Sequence, residues 1–291
     1  MAFGAHSTAE EVTDGLDLRG SSWLVTGCNS GLGQETARVL ALRGAHVIGL
    51  ARTLEKADDA MAPLGGTGVA CELSDLASVA QAVEQVTALG RPLRGIIANA
   101  GIMALPELKQ KSGYELQFYT NHVGHAALVT GLVDQLEDGG RVVMLSSGAH
   151  RYSKESGLEI DNLSGDDNYD PWRMYGRSKL ANILFARGLS TRFAAEGRGR
   201  TANSLHPGVI ATNLARHVPN AEAMFESLKA QMKTVEQGAA TQCYVATRPE
   251  LSTVSGEYFS DCAQAKAIDA GYDDALAETL WRRTEAIIAA G

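Results

Sequence analysis

Short apolar runs alternate along the chain with longer segments in which apolar residues recur at helical spacing. The short runs predict strands, and the longer segments predict amphipathic helices. The strand candidates lie at about 22–26, 45–51, 67–72, 93–98, 141–146, 200–206 and 256–260. Because strands that alternate with helices form parallel sheets covered on both faces, the pattern predicts an α/β fold. A ligand would then lie at the carboxyl ends of the strands.

The chain has the size and composition of one large domain. Its 291 residues are 45% hydrophobic, and we find no linker or internal repeat. We therefore predict a single catalytic domain over 21–291. In the N-terminal extension, 1–20, Thr8 and Glu11 have the spacing of a capping box for a short helix. The extension lacks the apolar run of a signal peptide or membrane anchor, which predicts a cytoplasmic protein without an anchor.

Charge and cysteine content exclude several classes of function. A formal net charge of -8 without a basic stripe argues against nucleic-acid binding. The cysteines form no C-x-x-C pair, and we expect reduced thiols; they are Cys28, Cys71, Cys243 and Cys262. His122 and His125 lack a third ligand at metal-binding spacing, so no metal site is predicted.

A glycine-rich turn, Thr26-Gly27-Cys28-Asn29-Ser30-Gly31-Leu32-Gly33, joins the first strand candidate to a helical pattern. Glycines at such a turn permit a sharp bend and let backbone N–H groups at the helix N-terminus approach a pyrophosphate. The alternative is a glycine-rich turn that binds no ligand.

Tyr175 and Lys179 stand four residues apart in a helical segment. Residues with this spacing lie on one face of a helix. A nearby ammonium group favours the phenolate, so we expect Lys179 to lower the pKa of Tyr175 and make it a general acid or base. The alternative is a solvated pair without a catalytic role.

With Asn99-Ala100-Gly101, Asn121 and Ser147, these motifs resemble those of the short-chain dehydrogenase/reductase family, over nearly the whole chain. Further stretches resemble the branch that contains retinol dehydrogenases and WW-domain oxidoreductases; they are 96–101, 120–125, 205–212 and 255–260. The resemblance implies a Rossmann-type doubly wound sheet of about seven strands, in the order 3-2-1-4-5-6-7.

The resemblance also implies a role for each catalytic residue. Tyr175 would exchange the proton of the substrate oxygen, and Ser147 would hold and polarise that oxygen. Lys179 would bind the nicotinamide ribose, and Asn121 would hold a water that connects Lys179 to solvent. Two alternatives stay open: Ser147 could merely end a strand, with Ser146 mistaken for it, and Asn121 could be a helix-bending residue satisfied by backbone.

The end of the second strand candidate bears on cofactor choice. Ala51 stands where NAD enzymes have an acidic residue, and Arg52 follows with a planar cation suited to phosphate. NADP(H) is therefore favoured, although Ser30 replaces a second basic residue found in many NADP enzymes of the family, and NAD(H) use stays open. The alternative is that Arg52 points into solvent.

The resemblance assigns the cofactor a larger set of contacts, in which Glu72 replaces the usual aspartate. The set is Gly27, Ser30, Gly31, Leu32, Gly33, Arg52, Glu72, Leu73, Asn99, Gly101, Tyr175, Lys179, Pro207, Val209 and Thr212.

Substrate selection is expected in a lid at about 213–234, where apolar residues recur at helical spacing. Leu214, Met224 and Phe225 would contact a hydrophobic substrate, together with Ser147 and Tyr175. The alternative is a plain surface helix packed on the core.

These features predict an NADP(H)-dependent oxidoreductase that transfers hydride between nicotinamide and a carbonyl or a primary or secondary alcohol. The alternative is a catalytically silent NADP-binding scaffold or sensor. A hydrolase is disfavoured because the chain has no G-x-S-x-G nucleophile elbow. A homo-oligomer, dimer or tetramer, is expected because relatives commonly pair through the helices that follow Asn99 and Ser147.

Overall fold

The computed structural model describes residues 3–153 and 157–291. Eight strands form one sheet in the order β3-β2-β1-β4-β5-β6-β7-β8. They are β1 Ser22–Thr26, β2 His46–Ala51, β3 Thr67–Ala70, β4 Leu93–Ala98, β5 Leu136–Leu145, β6 Thr201–His206, β7 Tyr258–Ser260 and β8 Ala263–Ala265. The predicted order of the first seven strands is confirmed. The prediction of seven strands was wrong, because β8 adds an antiparallel edge.

The strand β8 was missed because the turn before it carries no usual turn signal. Asp261 and Cys262 both have positive φ, 54° and 56°, as a two-residue hairpin turn requires. Asparagine or aspartate followed by glycine usually occupies such positions, and Cys262 stands where that glycine is expected. The fifth strand was also predicted too short. It begins at Leu136 rather than at 141. Residues 137–140, two acidic residues followed by two glycines, separate Leu136 from the apolar run that we used to predict the strand.

Helices cover both faces of the sheet. They are α1 Ala9–Val12, α2 Gly31–Leu42, α3 Leu54–Met61, α4 Leu76–Ala88, α5 Gly124–Leu132, α6 Pro171–Glu196, α7 Ala221–Leu228, α8 Val235–Thr247 and α9 Asp274–Ala289. A helical turn Leu116–Phe118 and a π-helical turn Tyr119–Val123 precede α5. Two short strand pairs lie outside the main sheet. They are Gln110–Lys111 with Tyr114–Glu115, and Val209–Ile210 with Met232–Lys233.

Alternate residues of the central strands supply two cores. Ile96 of β4 and Val142 of β5 pack with residues of α4, α5 and α6. Their neighbours Ile97 and Val143 pack on the opposite face with residues of α2, α3 and α8. This alternation confirms the doubly wound α/β fold, because each strand is buried on both sides.

The N-terminal segment packs on the core through α1. Thr8 and Glu11 form the expected capping box. Ala9 and Val12 are fully buried against residues of α8 such as Ala239. In the described part of the chain, no helix is long and apolar enough to cross a membrane.

The C-terminal helix α9 packs on α6 and on the π-helical turn before α5. The rings of Trp281 and of Phe185 on α6 stack with their centroids 5.0 Å apart. Thr284 hydrogen-bonds to His122 before α5, with Oγ1 and Nε2 2.9 Å apart. The homo-oligomer stays a prediction.

Candidate active site

A cavity of about 1310 Å³ opens at the carboxyl ends of β1, β2, β4, β5 and β6. Most of the residues predicted for the site line it, which brings motifs far apart in sequence to one place. These are Gly27, Ser30, Gly31, Leu32, Arg52, Glu72, Leu73, Asn99, Gly101, Ser147, Tyr175, Lys179, Pro207, Val209, Thr212, Leu214, Met224 and Phe225. Gly33 and Asn121 lie behind this wall.

Gly33 lets the N-terminus of α2 approach the strand ends. A Cβ atom at Gly33 would lie 2.2 Å from the carbonyl oxygen of Gly27 and 2.6 Å from Nδ2 of Asn99. That amide donates to the carbonyl oxygen of Thr26 at 2.8 Å. No side chain fits at this position without moving backbone, so glycine is required for packing rather than for ligand contact.

Asn121 is fully buried in the π-helical turn and holds the loop after β4. Its Oδ1 accepts from the N–H of Ile102 at 2.8 Å, and its Nδ2 donates to the carbonyl oxygen of Ile102 at 2.9 Å. The same Nδ2 donates to Oγ of Ser178, also at 2.9 Å. This side chain bonds largely to backbone, as the structural alternative for Asn121 requires, and its water-holding role stays a prediction.

A buried chain of hydrogen bonds joins Asn121 to the glycine-rich turn. Nδ1 of His125 donates to the carbonyl oxygen of Asn121 at 2.9 Å, so Nε2 accepts from the Thr26 hydroxyl at 2.9 Å. Oγ1 of Thr26 accepts from the N–H groups of Asn99 and Ala100, each at 2.9 Å. Burial lowers the pKa of His125 to about 4, which keeps it neutral. The sequence analysis missed this role of His125.

The structure distinguishes the two neighbouring serines. Oγ of Ser146 is buried and donates to the carbonyl oxygen of Lys179 at 2.8 Å, which ties β5 to α6. Both serines line the cavity, but Ser147 is the less buried of the two, and its Oγ accepts from the N–H of Ala149 at 3.1 Å. Of the two hydroxyls, that of Ser147 is therefore the one placed to meet a ligand.

Tyr175 and Lys179 lie on one face of α6, as their spacing predicts, but their electrostatics differ from our expectation. Nζ of Lys179 lies 5.6 Å from the ring centre of Tyr175 and donates to the carbonyl oxygen of Leu145 at 3.1 Å. Burial raises the pKa of Tyr175 to about 12, against the opposing effect of a hydrogen bond with Ser147. Our prediction that the Tyr175 pKa is lowered was therefore wrong, because desolvation disfavours phenolate.

Burial also lowers the pKa of Lys179 to about 8 from its ordinary value of 10.5. The unfolded chain therefore binds more protons between these pH values, and stability rises with pH across that interval. We expect the stability difference between wild type and Lys179→Met to shift by about 3 kcal/mol in favour of wild type from pH 8 to pH 10.5. Urea unfolding at several pH values measures this shift.

Lys229→Met, at an exposed position directly after α7, controls for the loss of a lysine charge. A Lys179→Met difference that stays flat between pH 8 and pH 10.5 would contradict the depressed pKa.

The end of the cavity near Tyr175 has an apolar wall. Met103, Trp172 and Phe225 pack in one cluster with Tyr175. The ring of Trp172 meets that of Tyr175 edge-on at 6.4 Å, and the ring of Tyr152 lies 6.0 Å from that of Trp172. The sequence analysis missed Met103, Tyr152 and Trp172, because their positions show no motif and only the fold brings them together.

The predicted lid segment forms part of this wall. It contains the turn Asn213–His217, in which Ala215 is buried, and helix α7, which has no buried residue. Leu214 and Phe225 both line the cavity and belong to the apolar cluster around Tyr175. A helix packed only on the core would bury an apolar face, whereas α7 has no buried residue. Its role as a lid stays a prediction.

Charge on the cavity wall is mostly positive. Among the described residues, the wall carries one carboxylate, that of Glu72, whose Oε1 accepts from the N–H and hydroxyl of Ser74 at 3.0 and 2.8 Å. The basic residues on the wall are Arg52, Lys56, Lys109, Arg151, Lys179 and Arg216. The cavity therefore suits an anionic ligand even though the whole chain is acidic.

A family model described as short chain dehydrogenase matches residues 22–223. The chain belongs to this family. The short-chain dehydrogenase TIC 32 B, chloroplastic, of Brassica napus is 40% identical over 96% of this chain and 92% of its own length. Human retinol dehydrogenase 14 is 35% identical over 93% of this chain and 87% of its own length. These relatives confirm the resemblance found in the sequence, including the retinol dehydrogenase branch.

A solved structure supports the same assignment. A short-chain dehydrogenase from Burkholderia cenocepacia, in complex with NADP, is 25% identical to this chain with a TM-score of 0.67. The match covers 83% of this chain and 96% of that one. As a member of the family, this short-chain dehydrogenase is an NAD(P)-dependent oxidoreductase that acts on CH–OH and C=O groups.

Proposed function

We propose that this short-chain dehydrogenase uses NADP(H) to interconvert a carbonyl and an alcohol on a hydrophobic small molecule, with Tyr175 as the general acid and base. The observation that carries the proposal is the meeting of Ser147, Tyr175 and Lys179 at one end of the cavity, beside an apolar wall. A phenol that can donate a proton, a hydroxyl and an ammonium group are the functions that carbonyl reduction requires.

The other end of the cavity fits a dinucleotide. Ser30, the N-cap of α2, makes no side-chain capping bond, and Gly31, the first residue of the helix, has φ of +53° and no side chain. Both line the cavity, so the helix N-terminus is open to a ligand. The pyrophosphate would be held there by backbone N–H groups of 31–33. Arg52 would hold the 2′-phosphate, and Lys179 the nicotinamide ribose. When bound, the cofactor supplies or accepts the hydride.

The remaining chemistry falls to the chain's own side chains. The Ser147 hydroxyl would hold the substrate oxygen and polarise its bond to carbon. The Tyr175 hydroxyl would give that oxygen its proton, leaving a buried phenolate. Because burial alone makes phenolate costly, the positive charge of Lys179 on the same helix face would stabilise it.

Two observations favour NADP(H) over NAD(H). Arg52 lines the cavity after β2, and the residue before it, Ala51, brings no carboxylate to accept ribose hydroxyls. The related Burkholderia cenocepacia enzyme was solved with NADP. The apolar wall near Tyr175 supports a hydrophobic substrate. The homo-oligomer and the cytoplasmic location stay predictions.

The absorbance of reduced nicotinamide, followed against a panel of apolar aldehydes, ketones and alcohols, tests the proposal. We expect turnover of at least one apolar carbonyl or alcohol, with a higher kcat/KM for the NADP(H) form of the cofactor. Tight NADPH binding without turnover of any compound in the panel would instead indicate the catalytically silent scaffold.

A further inference from the structure

Four basic groups line the cavity close to one another, and we call the part of the cavity that they line its mouth. Arg52 follows β2, Lys109 lies in the loop after β4, and Arg216 and His217 end the turn Asn213–His217 in the lid. All four line the cavity. They come from three separate parts of the chain, so only the fold places them together.

The charges that act on Arg216 and His217 are positive. Partial desolvation, and then the positive charge of Arg52, lower the pKa of Arg216. Partial desolvation, followed by the charges of Arg216, Lys109 and Arg52, lowers the pKa of His217. Repulsion of this kind costs free energy in the empty protein, and an anion at the mouth would remove it.

The turn that carries Arg216 begins beside the phosphate-binding end of α2. A Cβ atom at Gly31 would lie 3.3 Å from Cγ2 of Thr212, the residue before the turn. Nη1 of Arg216 donates to the carbonyl oxygen of Asn213 at 3.0 Å, which closes the turn. Among residues 3–153 and 157–291, the Arg216 guanidinium has no other hydrogen-bond partner, so its remaining N–H groups are available to a ligand.

The position of Arg52 identifies the part of the ligand that these charges meet. In the sheet, β1 and β4 lie between β2 and β5, so Arg52 is separated from Ser147 by roughly 14 Å of strand spacing. A group that reaches Arg52 is therefore remote from the reacting atoms. In a bound dinucleotide it would belong to the adenosine half.

We propose that Arg216 is the second cation of a 2′-phosphate site, contributed by the lid, so that binding of the phosphate on NADP(H) draws the lid over the cavity. The inference rests on the proposed use of NADP(H). A phosphate monoester carries a charge of about −1.5 to −2 at neutral pH, which one guanidinium neutralises only in part. Two arginines from facing segments would complete the neutralisation and join the lid to the sheet edge.

Affinities of Arg216→Gln for NADPH and NADH, titrated by nicotinamide fluorescence, test the assignment. Hydrogen bonds to charged groups contribute enough that we expect NADPH binding to weaken by about 10- to 100-fold. NADH binding should change by less than about twofold, because NADH lacks the phosphate. Lys229→Gln is the matched control, since Lys229 lies in the same lid but pairs with Glu226, and it should alter neither affinity.

Hydrogen exchange of peptides from 213–234 provides a readout independent of turnover. NADPH should slow exchange in this segment of the wild-type protein more than saturating NADH does. In Arg216→Gln the two cofactors should protect it equally, since the phosphate no longer holds the lid.

The outcomes separate this inference from the proposed function. If wild type prefers NADPH and Arg216→Gln keeps that preference, the Arg216 assignment is overturned and the proposed function stands. If the variant loses NADPH and NADH affinity equally, Arg216 contacts the pyrophosphate and the 2′-phosphate assignment is wrong. If wild type shows no preference for NADPH, the proposed cofactor and this inference both fail.

Discussion

Replacing Tyr175 by phenylalanine should lower kcat by about 100- to 10,000-fold, which is the range that positioned proton transfer contributes. The ring would keep its packing against Trp172, and only the transferable proton and the bond to Ser147 would be lost. NADPH affinity should change by less than about twofold, because the phenol acts on the substrate oxygen in the transition state. Steady-state kinetics and a fluorescence titration of NADPH measure the two quantities.

Tyr152→Phe is the matched control for this substitution. Tyr152 also lines the cavity, but its side chain is 60% exposed at the far side of Trp172. We expect it to retain kcat within about threefold, since it is not placed to donate to the reacting oxygen. Normal turnover in Tyr175→Phe would show that another group supplies the proton.

Arg52→Asp should invert the cofactor preference. The substitution replaces a charge-assisted contact with the 2′-phosphate by repulsion, and we expect NADPH binding to weaken by about 2–4 kcal/mol. NADH should bind as well as before or better, because an aspartate can accept hydrogen bonds from its free ribose hydroxyls. The measurement is the ratio of kcat/KM for NADPH to kcat/KM for NADH in wild type and variant.

Arg91→Asp makes the same change of charge at an exposed arginine that does not line the cavity. It should leave the kcat/KM ratio within about twofold of wild type, because solvent screens a distant surface charge. A wild-type ratio in favour of NADH would overturn the assignment of Arg52 and the NADP(H) proposal.

Local sequence patterns predicted the parts of the fold that depend on neighbouring residues. The apolar runs located seven strands because a strand buried on both faces needs consecutive apolar residues, as in 93–98. The spacing of Tyr175 and Lys179 placed them on one helix face because the helical repeat alone decides which residues are neighbours.

Features that depend on the surroundings of a side chain were not predictable in this way. Lys179 suggested a lowered pKa for Tyr175, but the residues that bury the phenol come from several elements and raise its pKa instead. His125 hydrogen-bonds to the hydroxyl of Thr26, which lies 99 positions away in the sequence. The hairpin at Asp261 and Cys262 adopts positive φ without glycine, so no local signal marks it.

The sequence by itself determined the family, because short motifs carry the resemblance, and the resemblance in turn implied the order of the strands and the candidate catalytic residues. Only the tertiary structure decided which of those residues face the cavity, since Ser147 lines it whereas Gly33 and Asn121 support it from behind. It also decided that Arg52 and Arg216, 164 positions apart, face one mouth. Residues so far apart in sequence come close when distant segments pack around a common core, and no property of either segment alone specifies that they will.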